Sequence, residues 1–170
     1  MLLNGVELGE KFHASNDPWP VRNEVYNLLR QHDFRIDATI LEKRKARPQV
    51  RFDDPTFYQY AWYYHAQFIV PHQINAGHDI LVTAAALETR MGKAAFKLAF
   101  NNVIQQTMLG TRWATDFPMS ASDPCLQAAD YCAWAIQRKW EQGDTSIFKL
   151  LEAKIATEFD LWRRGNRQYY

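Results

Sequence analysis

"SDPCLQAADYCAWAIQRKW", Ser122 to Trp140, is the stretch from which the rest of the chain is best read. Asp123 before Pro124 reads as an N-cap followed by proline at the first helical position, where the missing N–H costs nothing. Ser122 is a second candidate cap. Leu126, Ala129, Ala133, Ile136 and Trp140 recur at three- and four-residue intervals and make one apolar stripe. Ala128, Cys132 and Ala135 make a small-residue stripe beside it, which allows another element to approach closely. Polar residues gather late, at Gln137, Arg138, Lys139 and Glu141. The N-terminal half is therefore expected to be enclosed, yet it carries Gln127 and Asp130 in line with Trp134. An enclosed carboxylate needs an ion pair, hydrogen bonds or a metal.

Working outward, "ASNDPWP" reads as a turn into a helix from Val21 to about Gln31. "HDFRIDATILEK" alternates Phe34, Ile36, Ala38 and Ile40 against Arg35, Asp37, Thr39 and Leu41, and reads as a strand. "KRKARPQVR" reads as a basic loop broken by Pro48. Pro55 opens an aromatic helix expected to stop at Pro71. "HDILVTAAAL" is a second strand, apolar enough to be covered on both faces as parallel strands are. "GKAAFKLAFNNVIQQTML" is an amphipathic helix ending at Gly110, and "TRWATDF" a short third strand. After Gly143, Asp144 is expected to cap a last helix through about Phe159, with "RRGNRQYY" as a frayed tail. Helices alternating with strands give an α/β layer fold with a partly parallel sheet, in one domain over residues 1–170. Three strands are few for 170 residues, so the sheet extends elsewhere or pairs with a second copy.

Bulk composition narrows the function class. A formal net charge of +1 gives no global push toward nucleic acid or membrane. No apolar run approaches the roughly 20 residues of a membrane span, and "MLLNGVELGEKF" lacks the basic start and apolar core of a signal peptide. A cytoplasmic protein is expected. Cys125 and Cys132 stand seven residues apart on one helix, about 10 Å by helix rise, too far for a disulfide. No Cys/His spacing suits zinc. Neither a phosphate-cradling glycine motif nor a Gly-x-Ser-x-Gly elbow is present.

Four constellations carry chemistry. Asp130 with Gln127 fits the mouth of a divalent-metal site, because Mg²⁺ takes oxygen ligands. Equally, Asp130 could accept from backbone or arginine. "FHASNDP" offers His13 as ligand or acid/base, or else a turn in which Ser15 and Asn16 satisfy local backbone. Lys43, Arg44, Lys45, Arg47 and Arg51 suit a phosphate backbone, or form a solvated loop. "FYQYAWYYHAQF" could stack bases, though at helical spacing it reads as core. Asp37 reads as half of an Asp/Arg pair on the solvent face of its strand.

Taken together, "FHAS", "VRNEVYNLL", "FRIDATILEK" and above all "SDPCLQAADYCAWAIQRKW" resemble the large prokaryotic domain-of-unknown-function family 3800 over nearly the whole chain. The resemblance implies a ribonuclease H-like three-layer fold, with a mixed sheet flanked by helices. It implies metal-dependent nuclease chemistry near mobile elements or phage-defence genes. It points to His13, Lys43, Asp123, Gln127 and Asp130. Asp130 matches the carboxylate such a fold supplies from its last helix, with Asp123 as a further metal contact and Mg²⁺ or Mn²⁺ as the ion.

Two departures stand out. The Asp-Glu-Ser segment with which the family usually begins has no counterpart here, so the first strands of the fold are expected to be missing. "DILVTAAALET" also lacks an acid at the strand end, with Glu88 the nearest. Two-metal chemistry needs carboxylates from several elements. The chain is thus expected to be a nuclease of this kind, or an inactive or incomplete version completed by a partner chain. The alternative is a non-catalytic binding or assembly protein acting through its basic loop or as a homodimer.

Overall fold

A computed structural model describes residues 2–3, 6–7, 11–73, 78–85, 90–107 and 111–163. The chain is mixed α/β. Its contacts group into two compact units, Met1–Ala38 with Pro118–Thr157, and Thr39–Phe117 with Glu158–Tyr170.

The first unit opens on two short strands, β1 (Leu2–Leu3) and β2 (Val6–Glu7), paired antiparallel. Helix α1 (Trp19–Gln31) follows, and Pro20 in its first turn has no N–H to lose. It buries Val21, Tyr26 and Leu29. Helix α5 (Pro124–Gln142) begins where the Asp-Pro pair predicts: the Asp123 carboxylate accepts from the N–H groups of Cys125 and Leu126. It ends at Gly143, whose φ of +70° is the left-handed conformation glycine adopts without strain. The Gly143 N–H then reaches Lys139 O and the Asp144 N–H reaches Arg138 O.

The buried face of α5 differs from the stripe expected. Leu126 and Ile136 are buried, but Ala129, Ala133 and Trp140 are exposed, and Tyr131, Cys132 and Ala135 complete the covered face. The face is rotated because Tyr131 packs edge-on against Tyr26 at 5.2 Å, and the larger ring displaces the alanine stripe. The N-terminal half of the helix is accordingly half-open rather than enclosed.

The last helix expected from Asp144 to Phe159 is instead a single turn, α6 (Phe148–Leu151), a 3-10 turn (Glu152–Lys154), and a strand, β6 (Ile155–Asp160). Ile155, Thr157 and Phe159 alternate with Ala156, Glu158 and Asp160, and the β-branched and aromatic side chains favour the extended backbone. Strand β6 pairs with β3 (Ile36–Ile40), and each runs from the first unit into the second.

The second unit is built on α3 (Asp54–Gln73) and α4 (Arg90–Thr107). Ala66, Val70, Phe96, Phe100, Val103 and Ile104 form its core, with Trp62 edge-on to Phe96 at 4.5 Å. The aromatic stretch is thus largely packing. Helix α3 runs on through Pro71. Proline there removes one backbone donor, and the helix ends within a few residues, so little is lost. Strands β4 (Ile80–Thr83) and β5 (Trp113–Asp116) pair in parallel, Ile80 opposite Trp113. Ile80, Val82 and Trp113 face the core, but Leu81 is 69% exposed, so the strand is covered on one face only. The basic stretch expected as a loop is a 3-10 turn (Lys43–Lys45) and one helical turn, α2 (Pro48–Arg51). Pro48 fits the first helical position, and the Arg51 N–H closes on Arg47 O. Among the described residues the strands form three two-stranded sheets.

Candidate functional site

The site grows from the turn Phe12–Asp17 and the first turns of α5. Both belong to the first unit. Within the turn, the N–H groups of Asn16 and Asp17 bond His13 O, and the His13 N–H bonds Asp17 Oδ2 at 2.8 Å. Asn and Asp close turns this way because their short side chains reach nearby backbone groups.

The helix supplies the rest. Gln127 Oε1 accepts from the Phe12 N–H at 3.1 Å, while Gln127 Nε2 donates to Ser120 O at 2.9 Å. Asp130 Oδ2 lies 2.8 Å from His13 Nδ1 and accepts from the Ala14 N–H, also at 2.8 Å. Since a carboxylate only accepts, the bond to His13 requires the hydrogen on Nδ1 and leaves Nε2 as the basic nitrogen. The His13 and Asp130 side chains are 39% and 38% exposed. The polar residues in the first turns of α5 therefore hold the backbone N–H groups on either side of His13, at positions 12 and 14, and its imidazole. That contact joins residues 117 apart in sequence.

A second layer fixes this arrangement. The Tyr131 hydroxyl donates to Asp17 Oδ2, the oxygen that also takes the His13 N–H. Tyr26 donates its hydroxyl to Tyr131 O at 3.0 Å. Burial pushes both phenols well above their usual range, and at Tyr131 the Asp17 carboxylate adds to the effect. Arg22 Nε donates to Ala14 O at 2.6 Å and its guanidinium lies 4.5 Å from the Trp134 ring centre, with Arg138 5.0 Å from the same ring. Tyr131 and Arg22 are not among the residues the sequence singled out. Only the turn chemistry of Asp17 carried a local signal.

Of the sequence-derived candidates, His13, Gln127 and Asp130 come together. Asp123 directs Oδ1 at two backbone N–H groups as the helix cap. Glu88 lies outside the described residues. Among the described residues no group of three or more His, Cys, Asp or Glu side chains converges on a point that could hold a metal ion. One carboxylate beside a histidine falls short of the oxygen-rich shell of Mg²⁺, and one Asp130 oxygen already accepts two hydrogen bonds. The described residues do not by themselves fit such a centre.

The basic stretch belongs to the second unit. Lys43 pairs with Asp54 at 2.8 Å, Arg44 with Glu42, and Lys45 with Glu42 at 2.6 Å. Arg47 is exposed, and the Arg51 guanidinium lies 4.7 Å from the Phe52 ring centre. Asp37 is held by Arg35 through two bonds of 2.7 and 2.8 Å and accepts from Thr157 at 2.7 Å. Its side chain is only 12% exposed, less open than its strand position suggested. Both cysteines are free. No described helix is long and apolar enough to cross a membrane.

Comparison with known proteins adds no relative: no family model, no curated protein and no solved structure matches the chain.

Proposed function

We propose that this chain is a phosphodiester-cleaving protein of ribonuclease H-like descent, with His13 as its proton-transferring group and Asp130 as the carboxylate that orients it. The observation that carries the reading is the 2.8 Å contact between His13 Nδ1 and Asp130 Oδ2, formed by two half-exposed side chains. With Nδ1 tied to the carboxylate, Nε2 is the nitrogen able to take a proton from water and return one to a leaving oxygen. Asp130 fixes the tautomer and the orientation of the ring. Gln127 and the Ala14 N–H bond hold the backbone on both sides of His13, which limits where the ring can go. The residue motifs that resemble family 3800 support a nucleic-acid substrate and a Mg²⁺ or Mn²⁺ requirement, to which Asp130 would contribute a ligand. No step is routed through that ion, because the described residues do not complete a site for it.

The test is cleavage of single- and double-stranded DNA and RNA, with and without Mn²⁺, by the wild type and by His13→Ala and Asp130→Asn. Calorimetric Mn²⁺ titration is run on the same samples. Loss of a positioned acid/base group lowers the rate by about 10²–10⁴-fold, and both variants are expected to fall in that range. Equal cleavage by all three proteins, or none by the wild type, overturns the enzyme reading. The second reading is then a non-catalytic nucleic-acid-binding or assembly protein, as a homodimer or with a completing partner chain. It draws support from the exposed Arg47 beside Arg51.

A further inference from the structure

The five cations between Lys43 and Arg51 are not equivalent in the folded chain. Lys43, Arg44 and Lys45 are each matched by an acid, Asp54 or Glu42. Among the described residues neither Arg47 nor Arg51 meets a carboxylate. Arg47 is the N-cap of the single turn of α2 and Arg51 its last residue. Directly after that turn stands Phe52, 78% exposed, more than any other large hydrophobic side chain among the described residues. Its ring is backed by the Arg51 guanidinium at 4.7 Å. An open aromatic face beside two uncompensated guanidinium groups is the pairing that single-stranded nucleic acid uses, with a base on the ring and phosphates on the cations.

We infer that Arg47, Arg51 and Phe52 form a binding site for single-stranded nucleic acid, with an unpaired base stacking on Phe52. The inference rests on the nucleic-acid reading above and adds to it a substrate class and a residue, Phe52. Duplex is excluded as the preferred ligand because its bases are stacked on each other and offer no free face. The paired lysines and Arg44 hold the turn in place rather than the ligand.

The experiment is fluorescence anisotropy with labelled oligothymidylate, oligouridylate and a duplex of equal length, over a series of NaCl concentrations. Phe52→Ala is expected to weaken single-strand binding about tenfold without changing the salt dependence. Arg47→Gln is expected to lower the slope of log K against log salt by about 0.7. Lys149→Gln, an exposed charge on α6, is the control for bulk charge and leaves the affinity within about twofold. Equal affinity of wild type and Phe52→Ala, or preference for the duplex, overturns the inference. So does a change in sedimentation on Phe52→Ala with no change in oligonucleotide binding, which would make Phe52 a protein contact. Asp130→Asn separates this from the enzyme reading. Phe52-dependent binding without any wild-type cleavage overturns the enzyme reading alone. Cleavage that ignores Phe52→Ala, with binding also unchanged, overturns this inference alone.

Discussion

Tyr131 gives its phenolic hydrogen to Asp17 at 2.5 Å across 114 positions of sequence. The same Asp17 oxygen holds the backbone of His13, so a fully buried ring on α5 sets the position of a half-exposed imidazole. Tyr131→Phe keeps the ring packing and removes only the donor. It is expected to cost about 1.5–3 kcal/mol, the range for a hydrogen bond to a charged group. Urea unfolding with an unchanged m-value checks this.

Alkaline titration reads the same pair. Burial raises the Tyr26 and Tyr131 hydroxyls above the range of a free phenol. Their contribution to stability is complete below about pH 10, where unfolded tyrosine ionises. It is lost as pH rises, because the unfolded chain releases protons that the folded chain keeps. Phenolate absorbance should show Tyr26 and Tyr131 ionising only as the protein unfolds. In Tyr131→Phe that late absorbance change should shrink to the part owed to Tyr26.

The Asp123 cap gives a local test. Its carboxylate serves the N–H groups of Cys125 and Leu126 at 2.8 and 3.0 Å. Asp123→Ala should cost about 1 kcal/mol and Asp123→Ser much less, measured by thermal unfolding. Equal melting of all three proteins would show that Asp123 acts as something other than a cap.

The two thiols should separate under alkylation. Cys125 is exposed, whereas Cys132 is buried and its thiol is pushed up to about 11 by that burial. Iodoacetamide near neutral pH should modify Cys125 alone until denaturant is added, and peptide mass mapping reads the outcome.

On the acid side, Asp144 is held down to about 2 by its bonds from the Ser146 hydroxyl and N–H, and then by Arg138. A lowered carboxyl stabilises the folded chain above its unfolded value near 3.8 and ceases to do so as pH falls toward 2. Asp144→Asn should flatten the stability profile in that window and leave it unchanged in slope between pH values well above it.

What could be read in advance follows from how local each cause is. The start of α5 needs only Asp123 and Pro124, and its end only Gly143, so both were legible. The meeting of His13, Gln127 and Asp130 came from motif resemblance, since no local rule links residues so far apart. The Tyr131–Asp17 bond had neither a motif nor a local rule behind it. Strand β6 differs from the helix expected because Asp144 imitates a helix start, while the alternation of Ile155, Thr157 and Phe159 is too short to outweigh it without its partner β3. The rotation of α5 depended on the Tyr26 ring, which belongs to another helix.

The separation between His13 and Asp130 also has a meaning in time. A ribosome adding about 5–20 residues per second makes the turn at His13 on the order of ten seconds before it makes Asp130. Thr39–Phe117, nearly all of the second unit, is synthesised in the interval. The imidazole and the backbone N–H groups of Phe12 and Ala14 must therefore wait in solvent for their acceptors. Whatever chemistry the pair performs begins only after the middle of the chain has been made, so a nascent chain stalled before α5 would be inert.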